Sequence, residues 1–106
     1  MSVLKENRNN ASLLNAIAWF TLDDDSVKDR DLEFAMAAAK AANEATAGTD
    51  SAILDTLARA YFEAGDMDRA IKFQRKAVDK CENEQMLGDL EATLKSYEKS
   101  AKSNSA

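Results

Sequence analysis

The chain is 106 residues long with a net charge of −5, three glycines, no proline, no histidine and one cysteine. That length supports one domain with a modest core, and the shortage of helix breakers predicts an all-α fold. The acidity disfavours a nucleic-acid partner, no apolar run approaches the ~20 residues of a membrane span, and a lone cysteine forms no internal disulfide.

Met1–Asn10 is polar, shows no signal-peptide pattern and reads as an N-terminal extension. The expectation is a soluble chain, cytoplasmic by default or exported if it belongs to a larger protein. Asn9, Asn10 and Ser12 are candidate N-caps, because their short side chains accept from the open N–H groups of a first helical turn. The first helix is expected over about 11–22, where Leu13, Leu14, Ile17 and Ala18 form a stripe that Trp19 and Phe20 widen. Asp23–Arg30 breaks the pattern as an acidic loop; six acids crowd between Asp23 and Glu33.

The second helix is expected from near Asp31 to Ala45, with Leu32, Ala35, Met36, Ala39 and Ala42 on one side. Gly48 is expected to supply a left-handed stop, and Asp50 or Ser51 the next cap. The third helix, about 51–64, carries Ile53, Leu54, Leu57, Ala58, Tyr61 and Phe62 and ends at Gly65. Asp66 then caps a fourth helix to about Cys81, with Met67, Ala70, Ile71, Phe73, Ala77 and Val78 as apolar members. A fifth helix, about 84–99, carries Met86, Leu87, Leu90, Leu94 and Tyr97, and residues 100–106 read as a disordered tail. Two hairpins (about 11–47 and 51–82) and a fifth helix as solvating cap describe a short helical solenoid.

A phrase recurs within this pattern. Leu54, Leu57, Ala58 and Tyr61, followed by Gly65, Ala70 and Ala77, echo Leu14, Ile17 and Ala18 followed by Ala35 and Ala42. The offset is 40 residues from Ala18 to Ala58 and 35 from Ala35 to Ala70. With those residues the second unit resembles the tetratricopeptide family, whose helical hairpins repeat at a period of roughly 34 residues. Its departures are Gln74 where an aromatic residue is usual and Glu82 near the place of the closing proline. The first unit fits more loosely, with Thr21 in place of the tyrosine and about five extra residues in its loop.

A narrower resemblance rests on Leu14-Asn15 with Ala18-Trp19, on Arg30-Asp31-Leu32, on Leu54-Asp55-Thr56-Leu57-Ala58, and on Gln74 with Lys76-Ala77. These look like a bacterial subgroup whose modules form the C-terminal part of larger proteins, including thioredoxin-like redoxins. Redox chemistry is not carried over, since no Cys-x-x-Cys occurs. The family resemblance implies a right-handed α-α superhelix with the first, third and fifth helices lining an inner surface. It also implies a function: a non-enzymatic module that binds a peptide or partner domain on that concave face.

The inner positions implied by the match are Asn15, Trp19 and Leu22 in the first unit and Asp55, Arg59, Phe62 and Glu63 in the second. Trp, Phe and Arg in one concavity suit a peptide anchor. The competing reading packs Trp19 and Phe62 on the fifth helix or a second subunit, and uses Asn15 and Asp55 to tie helix ends together. The Lys/Asn pairs with which some members clamp a C-terminal carboxylate are not reproduced.

Other chemistry is weaker. Asp23, Asp24, Asp25, Asp29 and Asp31 offer oxygen ligands for a hard cation, but the segment lacks the mid-loop glycine and ligand spacing of an EF-hand, so it reads as a solvated loop. Cys81, between Lys80 and Glu82 near a helix C-terminus, reads as incidental rather than reactive. No histidine, phosphate loop, nucleophile elbow or zinc spacing occurs, so neither catalysis, cofactor nor metal is expected. Arg69, Lys72, Arg75, Lys76 and Lys80 form a basic stripe that reads as the wet face of the fourth helix, or as a means of steering an acidic partner. The alternatives to the peptide-binding reading are a structural homodimer, an accessory domain of a redoxin-type protein and a metal-regulated domain using the acidic loop.

Overall fold

The computed structural model describes residues 10–22 and 29–104. It is all-helical there: α1 is Ala11–Leu22, α2 Asp29–Ala45, α3 Ser51–Glu63, α4 Met67–Lys80 and α5 Glu84–Asn104. Among the described residues no helix is long and apolar enough to cross a membrane.

The caps explain most of the boundaries. The Asn10 side chain accepts from the Leu13 N–H at 3.1 Å, and Asp50 accepts from the N–H groups of Ala52 and Ile53 at 2.9 and 3.2 Å. Asp66 accepts from the Arg69 N–H at 3.2 Å. Each side chain thereby satisfies donors that a first helical turn leaves open. At the other end of α3, Asp66 N–H donates to the Tyr61 carbonyl (2.9 Å) and Gly65 N–H to that of Phe62 (3.0 Å). This is a Schellman closure with Gly65 at φ +82°.

The end of α2 has the same pattern with one difference. Gly48 N–H reaches the Asn43 carbonyl and Ala47 N–H that of Glu44, so the left-handed stop expected at Gly48 begins one residue earlier, at Ala47. Ala47 carries φ +54° and Gly48 φ +73°. An L-residue in that region is crowded between its Cβ and the next carbonyl.

Helix packing follows the alanines. Leu14 clusters with Ala42 and Ile53, Ala18 with Ala38, Ala39 and Leu57, and Leu22 with Ala35 and Ala60. Ascending α1 therefore means descending α2 and ascending α3: the hairpin is antiparallel, while α1 and α3 run the same way. The second hairpin repeats this, since Leu54 meets Ala77 and Leu90 while Ala58 meets Ala70 and Tyr97. Ala18, Ala35, Ala38, Ala39, Ala42, Ala58, Ala70 and Ala77 are all fully buried. Their methyl groups let the helices approach more closely than larger side chains would.

Two expectations change. α5 continues through Asn104, so 100–104 are helical rather than a disordered tail; no Gly or Pro interrupts this stretch, and Lys102 in the last turn complements the helix dipole. Leu13 and Phe20, placed with the α1 stripe from sequence, are exposed, because no described helix covers that side.

Candidate functional site

The candidate surface is clearest where α3 meets α5. The Arg59 Nε and Glu63 Oε1 form an i,i+4 ion pair at 2.8 Å, one turn apart as helical periodicity requires. Phe62 stacks on Tyr97 with ring centroids 4.7 Å apart and planes within 17°. Arg59 and Phe62 then line an open groove of about 460 Å³ with Ala92, Thr93, Ser96 and Tyr97. This groove brings a guanidinium, hydroxyl groups and aromatic rings together in one concavity.

Beneath it lies a small polar network. Gln74 is fully buried, donates from Nε2 to the Leu90 carbonyl at 3.1 Å, and ties α4 to α5. Its Oε1 is buried without a hydrogen-bond partner among the described residues. Burial raises the Asp55 carboxyl above its ordinary range, against the lowering effects of a hydrogen bond with the Gln74 side chain and of the Arg59 charge. Tyr97, only 5% exposed, has its phenol pushed up to about 12, mainly by burial and then by the nearby Asp55 charge.

The seven expected inner positions divide. Asp55, Arg59, Phe62 and Glu63 all lie around Tyr97. Phe62 packs on the fifth helix, as the competing reading held, yet still borders the groove. Asn15 is half-buried with its Oδ1 unpartnered among the described residues, and Trp19 is 38% exposed; both stand on α1 and neither lines this groove. Leu22 needs correction as a ligand-facing residue. It is 1% exposed and packs against Ala35 and Ala60, because the last turn of α1 points into the crossing with α2 and α3.

Sequence reasoning missed Thr93, Ser96 and Tyr97 as groove residues. The available signal was Tyr97, the one aromatic residue of α5, on a helix already expected to line the inner surface. The tie that Gln74 makes from α4 to α5 has no counterpart in the sequence pattern, where Gln74 is only a polar residue among the apolar members of α4.

Elsewhere, the Cys81 thiol donates to the Asn83 carbonyl at 3.2 Å. The side chains of Asp23, Asp24, Asp25 and Asp29 lie outside the described residues. Within the basic stripe, Arg69 pairs with Asp66 at 2.6 Å and Arg75 with Glu98 at 2.9 Å. The Arg69 guanidinium and N–H hold the Asp66 carboxyl below its usual range. Comparison with protein-family models, curated proteins and solved structures finds no match for this chain.

Proposed function

We propose that this chain is a non-enzymatic protein–protein interaction module of tetratricopeptide-like architecture that binds a peptide or partner domain on the face formed by α1, α3 and α5. The observation that carries the reading is the groove in which Arg59 and Phe62 of α3 meet Thr93, Ser96 and Tyr97 of α5. A guanidinium held in place by Glu63 beside stacked aromatic rings is a composition found at binding hot spots. The same-direction arrangement of α1 and α3, with Leu14 beside Ile53 and Ala18 beside Leu57, agrees with the stacking of a solenoid.

Selection of a random peptide display library on the wild-type chain, with Arg59→Glu as counter-target, tests this. Peptides that bind the wild type and lose affinity for the variant are the expected outcome. An absence of enriched binders, or binding indifferent to Arg59, sinks the groove.

A structural homodimer is the second reading, favoured by the exposure of Leu13, Trp19, Phe20 and Phe34 on the first hairpin. Sedimentation equilibrium decides it: a single monomeric species across concentration removes this reading.

A further inference from the structure

A second surface, built by α2, the C-terminal end of α3 and α4 and separate from the α3–α5 groove, brings apolar and cationic groups together. Leu32, Met36, Ala37 and Ala64 line an open groove of about 500 Å³ with Glu33 at its side and Lys40 at its edge. Lys40 joins this groove to an aromatic pair: its Nζ lies 5.8 Å from the Tyr61 ring centre, and Tyr61 stacks on Phe73 at 5.4 Å with planes within 5°.

Three cations of α4 ring the same pair. Arg69 approaches Tyr61 at 5.9 Å, and Lys72 and Lys76 approach Phe73 at 5.7 and 5.2 Å. Arg69 is already neutralised by Asp66. Lys40, Lys72 and Lys76 have no ion-pair partner among the described residues; their charges rest over ring faces, an interaction weak enough at an exposed site to yield to a carboxylate.

This concentration of unneutralised cations occurs on a chain of net charge −5. A solvated helix face accounts for lysines on α4 alone. It does not account for Lys40 arriving from α2 beside an apolar groove. We propose that this face docks an acidic peptide segment, its carboxylates taken by Lys40, Lys72 and Lys76 and one apolar side chain seated between Met36 and Ala64. Charge complementarity commits the site to that occupant.

Fluorescence anisotropy with a fluorescein-labelled, glutamate-rich peptide carrying one central leucine tests the assignment at low ionic strength. Saturable binding is expected. It should weaken by at least about tenfold for Lys40→Glu/Lys72→Glu/Lys76→Glu. The matched triple Lys95→Glu/Lys99→Glu/Lys102→Glu on α5, with the same change in net charge, should stay within about twofold of wild type. Replacing the peptide leucine by serine should also weaken binding, and the milder Lys40→Gln/Lys72→Gln/Lys76→Gln variant should reproduce the loss if the glutamate triple misfolds. No saturable binding, equal losses in the two triples, indifference to the leucine, or tighter binding of labelled oligothymidylate would each overturn it.

Discussion

The two hairpins solve one packing problem with different finishes. In each, alanines sit at the crossings and leave little room for larger groups. The second hairpin is closed on its far side: α5 lays Leu90 against Leu54 and Ala77, and stacks Tyr97 on Phe62. The first has no such partner among the described residues, and Leu13, Trp19, Phe20 and Phe34 remain exposed, Phe20 at 75%. Crossing geometry and face coverage are thus separate requirements. Small residues satisfy the first locally, whereas the second depends on whether a further helix flanks the hairpin on its outer side: α3 covers one side of the first hairpin, and no described helix covers the other.

The largest test of that separation is at the shared core. Leu57 joins the α1–α2 cluster to α3, so Leu57→Ala should cost about 2–5 kcal/mol in urea unfolding. Both hairpins should lose cooperativity together; separate transitions would show that they are independent units. Ala39, buried at the α1–α2 crossing, tests the small-residue requirement. Ala39→Leu should destabilise by about 1–3 kcal/mol through overpacking, and a neutral result would mean that the first hairpin is looser than the second.

A gain is expected at the joint between hairpins. Ala47→Gly removes the Cβ crowding at φ +54° and should stabilise the chain by about 0.5–1 kcal/mol in the same assay.

Asp55 gives a pH-dependent test on the closed side. Its folded pKa is raised, so the native state binds the proton more tightly than the unfolded chain. Its contribution therefore falls as pH rises from the unfolded carboxylate value of about 3.9 through the folded value. Asp55→Asn should raise the Tm at neutral pH, with the advantage disappearing in acid; a lower Tm at neutral pH would show that the carboxylate is a net support. The smallest effect is expected on the open side. Phe20→Ser should change stability by no more than about 0.5 kcal/mol, and a larger loss would reveal cover over that face.

Sequence made the local structure legible wherever a single side chain decides it. Asp50 and Asp66 act as caps, Gly65 closes α3, and the alanine positions mark the crossings. The stop at the end of α2 was shifted by one residue because Gly48 is the residue suited to a left-handed turn, while hydrogen-bond closure places Ala47 there first. Leu13 and Leu22 show the other limit. Both are leucines of one helix, and which is covered depends on where α2 and α3 lie rather than on α1 alone. In the α3–α5 groove, Arg59 and Phe62 are among the positions the resemblance implies, whereas their neighbours Thr93, Ser96 and Tyr97 belong to a helix whose register on α3 no local pattern specifies.

That register has an informational side. Along α5, Leu87, Leu90 and Leu94 recur at nearly one helical turn, so sliding the helix by about 5.4 Å exchanges one leucine for another at little apolar cost. Leucines alone spell an ambiguous address. Tyr97 occurs once in the helix and has one stacking counterpart in Phe62, making that ring pair the unrepeated character that singles out one alignment among several near-equivalent ones.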